Sequence, residues 1–438
     1  MQHKSDISKK EQPNTKVLRR SHRRMNMINA LPDVILVYIM SFLSIRQAIQ
    51  TSILSKRWKN LWKQLPNLIA KSSQFSNVAK FRCFLNKFLT NRDHSNTLQN
   101  IVVDYIGLIP IQILGRLFKY GASHNVETIA ISTYGIGYHL KNFDISNIFR
   151  GCFIKYLNLS FRSARGKIVI SHSLDLPELT HCLIRKVSFS SNDENNHLEP
   201  FSSCKKLSIL IIDCCDLIGE TNLFVSNENL YKLILRFGTD FLPLPKIQMD
   251  TPSLKFLTFV GLLGTTNHNY PLFKNDLKFL EEVNLQICFR YSNSKEAAET
   301  LMSWLKKFHN INSMTLASST AQVIEFIPNF PNIEDVCFRN MVSLVVKIDP
   351  YVGSQFSFGK EVLEFLVKKS RCNEAITTCE GYTFSPFILY HFFCYYTHNR
   401  MLCMFFITIL LFISLHFICY FSTEIPLYYE EYQPLDLA

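Results

Sequence analysis

One spacing of apolar residues constrains this chain more than any other feature. An apolar residue is followed by a second three positions on, and by a third two positions after that. The pattern stands at Leu98-Ile101-Val103, Val126-Ile129-Ile131, Ile154-Leu157-Leu159, Leu179-Cys182-Ile184 and Leu207-Leu210-Ile212. It continues at Leu230-Leu233-Leu235, Leu254-Leu257-Phe259, Leu280-Val283-Leu285, Ile311-Met314-Leu316 and Ile333-Val336-Phe338. Successive starts lie 22 to 31 residues apart, against about 20–29 in one class of strand-based solenoid.

The second and third residues of each triplet are two apart, so they share one face of a short strand. The first closes the turn into that strand. A single unit cannot bury its apolar face, but stacked units share one continuous core. The predicted class is therefore α/β: over 71–358, an irregular leucine-rich-repeat solenoid with a curved parallel sheet and helices or loops on its convex side. Unequal repeat lengths and the lack of a regularly placed Asn make it irregular.

Residues between the apolar positions point the other way, toward the concave face. One row is expected to hold Arg185, Asp213, Arg236, Gln286 and Arg339, and a second Asn158, Leu183, Ile211, Ile234, Thr258 and Asn284. Leu183, Ile211 and Ile234 would form an exposed apolar stripe flanked by Arg185 and Arg236. With Asp213 these are the candidate substrate-binding residues, because an apolar patch rimmed by charge suits a protein partner. The blander reading is that β-branched residues simply suit strands.

Ahead of the repeats, residues 28–70 read as three short helices. Pro32 and Asp33 open the first, where a missing N–H costs nothing and a carboxylate complements the helix dipole. Ile35, Leu36, Ile39, Phe42 and Leu43 keep helical spacing. A second helix runs from about Arg46 to Leu54. A third starts at Ser55, carries Trp58, Leu61 and Trp62, and ends at Pro66. So small a module cannot bury all these side chains internally, which points to a partner.

Leu31-Pro32-Asp33, Ile39-x-x-Phe42-Leu43 and the run Leu54-Ser55-Lys56-Arg57-Trp58-x-x-Leu61-Trp62 resemble the F-box of plant proteins. Many such proteins carry irregular leucine-rich repeats and an FBD segment, and 359–380 is similar to the helix-rich start of that segment. The resemblance spans roughly 28–380. It implies docking on a Skp-type adaptor, and through it on a cullin, while the repeats hold a protein substrate for ubiquitination. Carried over, the adaptor-binding residues are Leu31, Pro32, Ile35, Leu36, Ile39, Phe42, Leu43, Leu54, Trp58 and Leu61. About a third of them are expected to be plain core, as large apolar residues usually are. Val34 stands where the family has an acidic residue, Ser44-Ile45 where it has a Pro-containing turn, and Ile69-Ala70-Lys71 where it has an acidic strand.

Nothing in the sequence carries catalysis. No zinc-protease, nucleophile-elbow or phosphate-loop motif is present, and Gly135-Ile-Gly137 lacks the third glycine of a dinucleotide site. The thirteen cysteines show no C-x-x-C spacing, which reads as reduced, buried thiols. No cofactor, metal or enzymatic activity is expected, and no nucleic acid.

The two ends differ from the body. Residues 1–27 form a basic tail expected to be disordered. Residues 1–24 hold eight Lys and Arg against Asp6 and Glu11, within a net charge of +12. Its two basic clusters read as a nuclear-import signal or as a solvated tail, giving nucleus and cytoplasm as the expected location. The apolar tail, 381–438, contains an uncharged run, Met401 to Ser422, long enough to span a bilayer of about 30 Å. It reads as a tail anchor or as translated intron, since uridine-rich codons encode Phe, Leu, Ile, Tyr and Cys. An anchor would make the chain a membrane-tethered repeat scaffold with no ligase role.

Overall fold

The computed structural model describes residues 28–378, apart from residue 29 and the stretches 93–96, 137–141, 163–167, 238–246, 264–271, 290–293 and 349–359. The basic tail and the run 401–422 lie outside the described residues. Among the described residues no helix is long and apolar enough to cross a membrane.

The chain begins with helices α1, Asp33–Ser41, and α2, Ile45–Gln50, then 3-10 turns over Thr51–Ile53 and Trp58–Gln64. Ser44 starts α2 with a capping box: its hydroxyl accepts the Gln47 N–H, and the Gln47 side chain accepts the Ser44 N–H at 3.1 Å. The third helix expected from Ser55 is thus a 3-10 segment that begins at Trp58.

A twelve-stranded parallel sheet follows without a break. Its first strands are β1 Asn67–Lys71, β2 Asn100–Ile109, β3 Thr128–Ile136, β5 Tyr156–Phe161, β7 His181–Arg185 and β10 Ile209–Asp213. It continues through β13 Lys232–Arg236, β15 Phe256–Leu263, β17 Glu282–Phe289, β18 Ser313–Ala317, β19 Ser343–Lys347 and β20 Ile376–Thr378. The junction with the helical module is continuous: Ile69-Ala70-Lys71 belongs to β1, and Ala70 pairs with Val103.

Register explains the spacing seen in the sequence. Leu157, Cys182, Leu210, Leu233, Leu257, Val283 and Met314 stand side by side across seven strands, and all are buried. Nine of the ten triplets have their last two residues on these strands. The tenth does not. Ile333, Val336 and Phe338 are buried in irregular chain, and the strand comes later, at Ser343–Lys347. There Met341, Leu344 and Val346 carry the same spacing and are buried.

The links between these strands differ along the chain. Toward the two ends they hold helices: α3 Val78–Asn91, α4 Ile111–Ser123, α5 Ser294–Leu305, α6 Ser318–Glu325 and α7 Lys360–Lys368. The middle repeats instead add two four-stranded parallel sheets. One contains β4 Phe143–Asp144, β6 Ile168–Ile170, β8 Ser188–Ser190 and β11 Asp216–Ile218. The other contains β9 His197–Leu198, β12 Asn222–Ser226, β14 Ile247–Asp250 and β16 Leu272–Phe273.

Buried polar groups tie successive repeats together. The Cys204 thiol donates to the Leu174 carbonyl at 3.3 Å, and the Asn227 amide donates to the Cys204 carbonyl at 2.9 Å. The Cys215 thiol donates to Ile184 at 3.4 Å. These thiols act as weak donors in the place of a regular Asn ladder.

Candidate functional site

In the helical module, Leu36 and Met40 on α1 face inward and join Ile45, Ala48, Trp58, Leu61 and Leu65 in the core. Of the residues carried over as adaptor contacts, Leu36, Trp58 and Leu61 are therefore corrected to core, at 0%, 6% and 3% exposure. They support the outward face from beneath and present no side chain on it.

The others do face outward. Phe42 is 73% exposed and Leu54 60%, with Ile35, Ile39 and Leu43 also exposed. Pro32 is exposed and Leu31 half-buried. At 3.6 residues per turn, Val34, Ile35, Tyr38, Ile39 and Phe42 fall within an arc of about 140°. Every one of these five is exposed and apolar or aromatic. Tyr38 and Phe42 meet edge to face at 5.0 Å. Ile53, at 86% exposure, stands beside Leu54 in the chain. A small cleft lined by Met40, Ser41, Leu43, Ile45, Leu65, Pro66, Asn67 and Ile69 continues this face to the first strand. Arg57 fixes its upper end, pairing with Asp33 at 2.6 Å and donating to the Leu31 carbonyl.

On the concave sheet face, register places Asn158, Leu183, Ile211, Ile234, Thr258 and Asn284 side by side. Arg185, Asp213 and Arg236 form the neighbouring row, with Gln286 opposite Val260 further along. Arg339 does not join them: it is exposed on a turn ahead of β19. The stripe is less open than expected. Leu183 and Ile211 are half-buried, and Ile234 is only 9% exposed. Asp213 is buried and accepts from Arg185 at 2.7 and 2.9 Å, with Arg236 at 3.7 Å. Its carboxylate holds the two guanidiniums together, so its role here is to position them. Tyr156 and His181 meet at a tilt of 30° on the N-terminal side of the stripe, their rings 5.6 Å apart. Burial holds the His181 imidazole below its ordinary value.

Residues 28–69 match the F-box domain family. That match decides the reading of an exposed apolar helix beside a Trp-anchored turn, and the repeats behind it extend the likeness. An F-box/LRR-repeat protein of Arabidopsis thaliana is 27% identical over 54% of this chain and 65% of its own length. An FBD-associated F-box protein of the same plant is 29% identical over 53% and 55%. Another Arabidopsis F-box/LRR-repeat protein is 24% identical over 71% of this chain, which spans 65% of that relative's length.

The chain carries an F-box and is similar beyond it to plant F-box/leucine-rich-repeat proteins. Within this F-box protein, sequence reasoning missed Val34, Tyr38 and Ile53 as parts of the outward face. Helical spacing of Val34, Tyr38 and Phe42 was the signal that could have found the first two. After helix α7, strand β20 adds the last strand of the F-box protein's sheet, pairing with β19.

Proposed function

We propose that this F-box/leucine-rich-repeat protein is the substrate-recognition subunit of an SCF-type ubiquitin ligase. In this reading Leu31, Pro32, Ile35, Ile39, Phe42, Leu43 and Leu54 dock on a Skp-type adaptor, which links the chain to a cullin. The concave face, around Leu183, Ile211, Arg185 and Arg236, holds a protein substrate. Ubiquitin transfer belongs to the partners, and this chain is a non-catalytic adaptor.

The observation that carries the proposal is the outward arc of α1 with Leu54. A soluble module leaves a contiguous apolar face open when a partner covers it. At about 25 cal/mol per Å2, burying a Phe or Leu side chain contributes roughly 1.5–3 kcal/mol, so the exposed side chains of this face are the ones whose burial would favour a complex.

Pull-down of the full chain from plant extract, read by mass spectrometry, tests both halves. The wild type is expected to bring down adaptor, cullin and substrate. A Leu183→Asp/Ile211→Asp variant is expected to keep adaptor and cullin and lose the substrate. Identical partner lists for the two chains would remove the concave face from the account.

A further inference from the structure

The middle of the concave face carries charge of one sign. From β3 to β15 its positions hold Arg162, Arg185, Lys232 and Arg236, and Asp213 is the only carboxylate among their described residues. Residues 92–438 as a whole hold 30 Lys and Arg against 32 Asp and Glu, so this excess is local. The arginines gather at the C-terminal ends of the strands. Arg185 and Arg236 stand one strand to either side of Asp213. Arg162, just past the end of β5, lies over the Tyr134 ring at 5.2 Å.

Asp213 sets the aim of its neighbours. Its Oδ2 accepts from Nε and Nη2 of Arg185 at 2.9 and 2.7 Å and lies 3.7 Å from Nη1 of Arg236. The carboxylate side chain is 7% exposed, against 37% for Arg185 and 43% for Arg236. The acid therefore lies beneath and the cations on top. Two guanidiniums over one carboxylate leave net positive charge at the surface, in the planar form that pairs with carboxylate or phosphate oxygens. Two residues back along the same strands lie Leu183, Ile211 and Ile234, the first two half-buried. A strand rises about 3.3 Å per residue, so the apolar row runs about 6.6 Å from the charged one.

We infer that the substrate segment held on the concave face is acidic: an oxyanion side chain, from Asp, Glu or a phosphorylated Ser, seats on Arg185 and Arg236, and an apolar side chain two positions from it rests on Leu183 and Ile211. The inference rests on the substrate-holding role proposed above and adds the chemistry of what is held. An extended segment also advances about 3.3 Å per residue, so residues two apart on it match the spacing of the two rows. Nucleic acid fits less well. The row beside the arginines is aliphatic, and the repeats lack the broad basic surface that a phosphate backbone needs.

The test is fluorescence anisotropy of the full chain with labelled decapeptide pools. Each pool has a fixed Leu and, two positions away, a fixed Asp, phosphoserine, Ser or Lys, with all other positions random. The Asp or the phosphoserine pool is expected to bind at least about tenfold more tightly than the Lys pool, and the tighter of the two tells carboxylate from phosphate. Arg236→Ala leaves the Arg185–Asp213 pair in place and is expected to lose about tenfold on the acidic pools and less than about twofold on the Ser pool. Lys205→Ala/Lys278→Ala, at exposed positions outside the concave rows, is expected to change neither. Thermal melts check folding, and Arg236→Lys, which keeps the charge without the planar fork, stands in with a smaller loss if the Ala variant does not fold. No binding of any pool, binding that ignores the fixed charge, or acidic binding that survives Arg236→Ala overturns the inference. Capture of a protein that the Leu183→Asp/Ile211→Asp variant loses would leave the substrate-holding role standing in that case, and absence of such capture overturns the role itself. Inorganic phosphate or a uridine oligonucleotide that displaces the acidic pools at equal or lower concentration overturns the inference in favour of a free anion or RNA.

Discussion

Arg57 and Asp33, 24 residues apart, form the ion pair that fastens the Trp58 turn to the start of α1, at 2.6 Å. Both side chains are partly exposed, at 36% and 52%, so solvent screens the pair and it contributes roughly 0.5–1 kcal/mol. Arg57 also donates to the Leu31 carbonyl. Arg57→Ala is therefore expected to cost more than Asp33→Asn, by about 1 kcal/mol, in urea denaturation. Equal losses would mean that the carbonyl contact contributes nothing.

The division of the helical module into core and face makes opposite predictions for its large side chains. Trp58→Ala removes a buried indole and is expected to cost about 3–5 kcal/mol. Tyr38→Ala and Val34→Ala remove exposed side chains and are expected to change stability by less than about 0.5 kcal/mol. Thermal melts of the three variants distinguish this from a module in which all outward residues support the fold.

Leu233 sits at the centre of the apolar ladder, between Leu210 and Leu257. Leu233→Ala is expected to cost about 2–5 kcal/mol. Because each repeat is stabilised by its neighbours, amide exchange is expected to quicken in β10, β13 and β15 first, and last in α1. Uniform quickening along the chain would contradict the solenoid's nearest-neighbour character.

The buried thiols give a pH-dependent signature. Burial pushes Cys204 and Cys215 from the ordinary 9.0 up to about 12, and Cys182 rises well above its ordinary value for the same reason. A raised thiol value disfavours the thiolate in the folded chain. The stabilising contribution is therefore complete below about pH 9 and is lost as pH rises toward 12. Iodoacetamide at pH 8 is expected to modify the exposed Cys83 and Cys337 and to spare Cys182, Cys204 and Cys215 until the chain unfolds. Rapid labelling of all five in the native chain would contradict the burial.

Most of the sheet was legible in the sequence because its core residues come from fixed positions in each strand. Leu210 and Ile212, two apart, had no other face to share. The tenth repeat failed for an instructive reason. Ile333-Val336-Phe338 and Met341-Leu344-Val346 both carry the spacing within a few residues, and both are buried. Apolar spacing reports burial, while strand pairing depends on which backbone groups meet β18. The short convex strands, such as Phe143–Asp144, had no signal at all, since two residues show no period. At the candidate sites, outward helix positions were readable and depth was not. Nothing local distinguishes Ile234 from Ile211, yet Ile234 is the more covered of the two.

Calorimetric titration of the full chain with a plant Skp-type adaptor tests the central claim most directly. Wild type is expected to form a one-to-one complex. Phe42→Asp/Leu54→Asp, which changes only exposed side chains, is expected to weaken it by at least about 100-fold, two apolar contacts at roughly 1.5–3 kcal/mol each, with an unchanged melting temperature. Equal affinity for the two chains, or no binding by a folded wild type, would contradict the account.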